Sequence, residues 1–195
     1  EIKRFGDVPW YSKPIGSADP ELKRPRDSRE YVMQRMIEDI DFAILYLPTK
    51  HDLYRITKWT ALALKSRFCL FEGTFRKYHG IDTEENDWKY YLDLAAKASE
   101  EFITNSGYGL YTTGGTQTAY RDLFVSEDAQ QLEVVLARDY NKGLSVFHNS
   151  TFYSLNTSYG RPGLTRKIVA SYLMTDGTRF TDKAGWQTME FRDEC

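Results

Sequence analysis

Features that would assign this chain a chemistry at sight are scarce. Only two cysteines occur in 195 residues, Cys69 and Cys195. They form no closely spaced pair of the zinc-binding kind and leave the redox compartment unread. No apolar run extends more than a few residues before Lys, Arg or Glu interrupts it, which excludes a bilayer-spanning helix. The net charge is only −2, with acids and bases mixed along the chain, so nothing electrostatic points to nucleic acid or an anionic membrane surface. HExxH, GxSxG, Walker A and GxGxxG are all missing, and with them the usual signatures of zinc proteases, α/β-hydrolases, P-loop enzymes and dinucleotide-binding folds.

The remaining routes to catalysis rest on residue abundance. His51, His79 and His148 are far apart and each borders a loop, which reads as solvated surface. Asp82, Glu84, Glu85 and Asp87 have calcium-compatible chemistry, yet acids gather before a helix for the dipole alone. Asp39 with Asp41, and Glu100 with Glu101, lie among exposed helix positions, so no carboxylate pair stands out for glycoside hydrolysis. We therefore assign no catalytic residue, no metal ligand and no cofactor, and expect a protein that is not an enzyme.

What the chain does have is helical periodicity and an excess of aromatics. Arg55 to His79 carries apolar residues on more than one face: Ala61, Leu64, Phe68, Phe71, Phe75 and Tyr78 form one seam. Leu62, Ser66, Cys69 and Gly73 form a second seam of mostly small side chains, which lets another helix approach closely. Thr57 is the expected N-cap and Gly80 the stop. Upstream, Met33, Met36, Ile37, Ile40, Ala43, Ile44 and Leu47 line one face of a helix that Asp27 and Glu30 open as a capping box and Pro48 closes. Downstream, Trp88, Tyr91, Leu92, Ala95, Ala98 and Phe102 recur at helical spacing, with Gly107 as terminator. Trp59, Trp88, Tyr91 and Phe68 fall on these seams and are assigned to the core. The fold class is mainly α, with long polar loops and little strand. The second and third helices suggest a tetratricopeptide-like pair, although the repeat pattern is not written out in full.

Past Gly107 the composition shifts toward Gly, Thr and Ser. A short helical turn is expected around Ala119 to Phe124, a short strand or extended run over Leu132 to Ala137, and a helix near 164–175 followed by a turn at Asp176 and Gly177. Between them, NKGLSVFHNSTFYSLNTSYGRPG (141–163) reads as one long loop rich in Asn, Ser, Thr and Tyr. Sugar recognition needs flat aromatic faces for the C–H side of a pyranose, bordered by groups that pair with hydroxyls. This loop offers both: Phe152, Tyr153 and Tyr159 alternate with Asn149, Asn156 and Arg161. The candidate glycan-binding residues are Tyr153, Tyr159, Asn156, Arg161 and Trp186, with Trp10 a further aromatic to consider. The competing reading is that these rings pin the loop to the helices.

Residues 55–73, RITKWTALALKSRFCLFEG, also carry a resemblance. Arg55, Thr57, Lys58, Ala61, Leu62, Ala63, Leu64, Lys65, Arg67, Leu70 and Gly73 match the central helix of the SusD/RagB family, the surface glycan-binding lipoproteins of Bacteroidetes. GDVP (6–9), PRDSREYV (25–32), IEDIDFAILYLP (37–48), YRDLF and VVLARDYN follow in the family's order, so the likeness runs from Gly6 to about Gly177. It implies a tetratricopeptide-like helical scaffold and capture of an oligosaccharide or polysaccharide for uptake as a nutrient. It further implies delivery to a SusC-like TonB-dependent transporter at the cell outer membrane. On this resemblance residues 1–195 are expected to be an internal fragment holding a single SusD-like domain: repeat-like helices over 26–107, and a loop-rich part over 108–195. The export signal and the lipid-carrying Cys would then lie upstream. Two alternatives stay open, a tetratricopeptide-type scaffold for protein partners and a glycosidase.

Overall fold

The computed structural model describes residues 1–81, 83, 86–159 and 163–188. Among these residues the structure is mainly helical: α1 (Ile2–Phe5), α2 (Arg29–Tyr46), α3 (Lys58–His79), α4 (Trp88–Asn105), α5 (Gly115–Val125), α6 (Ser150–Leu155) and α7 (Arg166–Val169). β-Structure is confined to isolated bridges, Val8 with Asp27, Asn141 with Val146 and Leu173 with Arg179. None of the described helices is long and apolar enough to cross a membrane. The chain divides into two compact units, Glu1–Asp139 and Tyr140–Cys195.

In the first unit, α3 is the inner helix. Thr57 caps it by accepting from Thr60 N while Thr60 Oγ1 returns the bond to Thr57 N, a reciprocal box that satisfies two donors. Gly80 ends it in the left-handed region at φ 61°, where a Cβ would be strained. The small seam faces α4. A Cβ built on Gly73 would lie 2.7 Å from Leu92 Cδ2 and 2.9 Å from the Trp88 carbonyl oxygen, so the helices meet at backbone distance there. About two turns away, the Ser66 and Ser99 hydroxyls share a 2.6 Å hydrogen bond. Position numbers on α3 fall as their partners on α4 rise, which makes the pair antiparallel.

The pairing of α2 with α3 runs the same way, with Arg29 on Glu72 at one end and Asp41 on Lys65 at the other. Apolar residues gather in two clusters along α3. Met33, Ile37 and Tyr91 pack with Met36, Phe68 and Leu94; Trp59, Leu62 and Ala98 pack with Ile44, Phe102 and Tyr108. Fully burying side chains of this size contributes about 1.5–3 kcal/mol each, which outweighs the weak intrinsic helix preference of the aromatics. Three consecutive antiparallel helices of this kind match the expected tetratricopeptide-like geometry.

The seam that appeared more apolar in the sequence is the less buried one. Leu64 is 53% exposed and Tyr78 82% exposed, while Leu62, Cys69 and Gly73 are buried. Close approach of α4 selects the small side chains and leaves Leu64 and Tyr78 of the large seam in solvent. Burial pushes the Cys69 thiol up to about 12 by penalising the thiolate.

A charged network is buried beside this contact. Glu72 accepts from Arg29 Nε at 2.9 Å and from Arg76 Nε at 2.8 Å. Arg76, fully buried, also donates to the Asn86 carbonyl and lies over the Tyr91 ring at 4.5 Å. Its Nη2 stands 2.6 Å from Glu30 Oε1 as a charge contact rather than a hydrogen bond. One cluster therefore clips α2, α3 and the α3–α4 connection together.

Several local expectations are corrected. Ser28, not Asp27, caps α2, because Asp27 is occupied by Trp10 N and Arg24. α5 spans Gly115–Val125, longer than the turn expected, since left-handed Gly114 starts it earlier. Residues 132–137 form no strand among the described residues; Ala137 N donates to the Leu53 carbonyl instead. The helix near 164–175 is one turn, Arg166–Val169, after which the chain turns and bridges Leu173 to Arg179 around Gly177 at φ 82°.

Candidate functional site

The Asn- and Tyr-rich segment is more ordered than a loop. Asn141 accepts from Leu144 N through its side chain, and a bridge to Val146 closes a tight turn with Ser145 in the left-handed region. Four residues after Val146 α6 begins, a short helix that the Asn and Ser content of the segment had hidden. Such residues compete with the helix by bonding nearby backbone, so the pattern alone does not reveal it.

α6 and the turn after it assemble three rings. Phe152 and Tyr153 stand on α6 with centroids 5.5 Å apart, and Tyr159 packs on both, 5.0 Å from Phe152 and 5.6 Å from Tyr153. Asn156 brings Tyr159 back. Its Oδ1 accepts from Ser158 N at 2.9 Å, an Asx-turn, and its carbonyl accepts from Tyr159 N. Asn156 is thus a positioning residue for the cluster. The rings remain 48–53% exposed, and neither phenol hydroxyl has a hydrogen-bond partner among the described residues. Edge-to-face pairs near 75° and 87° set the rings as walls of a notch and not as one flat strip.

The other predicted residues fall elsewhere. Trp186 stands with Arg166, whose Nη2 donates to the Trp186 carbonyl at 2.7 Å and whose guanidinium lies 6.0 Å from the indole centroid. Arg161 lies outside the described residues, as do Asp82, Glu84 and Glu85 of the acidic stretch. Asp87, from the same stretch, caps α4 by accepting from Tyr90 N. Trp10 is half-buried and lines an apolar notch of about 270 Å³ with Met36, Asp39, Ile40, Leu64 and Phe68. His51 stacks on Tyr108 at 4.1 Å and its Nε2 is 2.5 Å from the Ser106 carbonyl; His79 stacks on Phe75 and His148 meets Tyr140. Each histidine is thus accounted for by a ring contact.

A cavity that sequence reasoning did not single out lies in the first unit. It measures about 950 Å³ and is lined by Pro48 and Lys50–Thr57 with Ala129 and Gln131. Apart from Arg55 and Thr57, which belong to the stretch that carries the family resemblance, its sequence signal is an Asp followed by residues whose N–H groups can donate to it, too common a pattern to mark a site.

No family model and no solved structure matches the chain. Among curated proteins it is similar to a SusD-like protein of Bacteroides ovatus, with 28% identity over 117 residues. That match covers 60% of this chain and spans 19% of the relative's length, so the likeness concerns about a fifth of that protein.

Proposed function

We propose that the chain belongs to a non-catalytic protein that binds oligosaccharides at the bacterial cell surface and delivers them to a SusC-like TonB-dependent transporter, anchored there by a lipid on a Cys outside this sequence. The observation that carries the binding half is the half-exposed cluster of Phe152, Tyr153 and Tyr159, held by the Asn156 turn, with neither phenol hydrogen-bonded among the described residues. Stacking and a few hydroxyl contacts supply modest free energy, so affinities on the order of micromolar to millimolar are expected. The location and the transporter follow from the family resemblance, which the SusD-like relative supports at a distance.

Calorimetric titration of the chain with plant, host and microbial oligosaccharides tests the reading. Heat with at least one glycan, lost in Tyr153→Ala at an unchanged melting temperature, is the expected result. Silence across the panel together with capture of a defined protein partner would favour the tetratricopeptide-type scaffold. Release of reducing ends from any polysaccharide would establish a glycosidase.

A further inference from the structure

The cavity over Lys50–Thr57 is built from a loop tied down at several points. Trp59 Nε1 donates to the Thr49 carbonyl at 2.7 Å, and Lys58 N to the Pro48 carbonyl at 3.0 Å. Asp52 Oδ1 accepts from both Tyr54 N and Arg55 N at 3.0 Å. Ala137 N donates to the Leu53 carbonyl at 2.8 Å, and His51 is fixed by the Ser106 carbonyl and the Tyr108 ring. A loop so restrained loses little further freedom when it binds.

Its charge is the second observation. Several cations on the helices are ion-paired: Arg29 and Arg76 with Glu72, Arg35 with Glu38, Lys65 with Asp41, and Lys58, beside the cleft, with Glu101 at 2.7 Å. Lys50 and Arg55, which line the cleft, have no ion-pair partner among the described residues. Asp52 is the only acid in the lining, and its Oδ1 is taken up by the two backbone donors. The cleft is therefore net positive on a chain whose total charge is −2. Tyr54, 49% exposed, adds an aromatic wall.

We propose that this cleft is a second carbohydrate site, selective for an anionic pyranose, with Lys50 and Arg55 pairing with its carboxylate or sulfate and Tyr54 covering its apolar face. The inference rests on the reading that the chain binds carbohydrate, and adds the class of sugar. Arg suits a planar carboxylate or a sulfate through its fork of donors, and Lys adds a point charge beside it. A cleft wider than one ring is consistent with an oligosaccharide whose charged unit sits here.

The test is a chemical-shift titration of the whole chain with galacturonate, galactose 6-sulfate and galactose at low salt. Saturable shifts of the Tyr54 and Arg55 amides with one or both anionic sugars, absent with galactose, are expected. Which anion binds distinguishes a uronic acid from a sulfate ester. The double variant Lys50→Ala/Arg55→Ala should lose at least about tenfold in affinity, and raising the salt to about 0.5 M should weaken binding to the unsubstituted chain. Both side chains are exposed, so the rest of the variant's spectrum should be unchanged and report an intact fold. No saturable shift by about 50 mM sugar, in the weak range expected of such contacts, overturns the proposal. So do equal shifts with galactose, or shifts with an oligoglutamate peptide when neither sugar acid binds. Neutral-glycan binding that survives the double variant and is lost in Tyr153→Ala reports on the aromatic cluster separately, so failure of either site is distinguishable.

Discussion

Replacing Gly73 by alanine tests the close approach of α3 and α4 directly. In a solvent-facing helix interior, Gly→Ala stabilises by about 0.8–1.0 kcal/mol because alanine loses less backbone entropy. At Gly73 the new Cβ would stand 2.7 and 2.8 Å from Leu92 Cδ2 and Cγ and 2.9 Å from the Trp88 carbonyl oxygen. Leu92 can turn to another rotamer, but the carbonyl belongs to the first turn of α4 and moves only with the helix. That helix is held by the Ser66–Ser99 hydrogen bond and by Arg76 on the Asn86 carbonyl. Overpacking of this kind costs about 1–3 kcal/mol. The two effects together predict a net loss of roughly 1 kcal/mol, corresponding to a fall of about 2–4 °C in melting temperature for a chain this long. Urea unfolding by circular dichroism, with an unchanged slope, measures it. A Leu92→Ala partner mutation removes part of the clash, so the cycle should show favourable coupling between the two substitutions. If Gly73→Ala raised stability by about 1 kcal/mol, or showed no coupling to Leu92→Ala, the helices would not meet as described.

Four further outcomes are expected. Glu72→Gln leaves Arg29 and Arg76 facing a neutral amide inside the protein, and should destabilise by about 3 kcal/mol in the same assay; a change below 1 kcal/mol would mean that the network is solvated. Burial raises the proton affinity of the Cys69 thiol, to about 12, and that of the Tyr91 phenol, so both hold protons more tightly folded than unfolded. Their stabilisation is complete below the unfolded thiol range near about pH 8.5 and is lost as pH climbs toward about 12; unfolding free energy should fall across that window, and less steeply in Cys69→Ala. Tyr153→Ala should weaken glycan binding by roughly 1–2 kcal/mol with no loss of melting temperature, whereas a stability loss with unchanged affinity would assign the ring to packing. Asn156→Ala should release Tyr159 from the notch and lower affinity while keeping Tyr153 in place, which titration with the same glycan decides.

Much of the helical scaffold was legible because its signals are local. Thr57 and Gly80 mark the ends of α3 through side-chain capping and a left-handed backbone, both properties of a residue and its immediate neighbours. The Ser66, Cys69 and Gly73 stripe announced a close helix partner for the same reason: few arrangements other than another backbone fill the space small side chains leave. The first cap was misread because Asp27 and Ser28 are both good caps. A contact from Trp10, 17 residues away in sequence order, together with the neighbouring Arg24, took Asp27 away. α6 was missed because its Ser residues and the flanking Asn149 and Asn156 favour turns locally, and α7 was overextended because a helical pattern does not show where the chain bridges Leu173 to Arg179.

The candidate sites divide along the same line. Sequence named Tyr153, Tyr159 and Asn156 from composition, which shows that rings and amides are near one another along the chain and not how they face. Only the fold turned Asn156 into the hinge that sets Tyr159 against Phe152 and Tyr153, and sent Trp186 to Arg166. Lys50 carried no sequence signal and Arg55 only its place in the family resemblance, since being unpaired is a property of where every carboxylate ends up. Periodicity and capping act over three or four residues, so the chain by itself determined which segments are helices and which stripe of α3 is narrow. Exposure, ion pairing and cavities depend on contacts between residues far apart in order, and those only the tertiary structure decided.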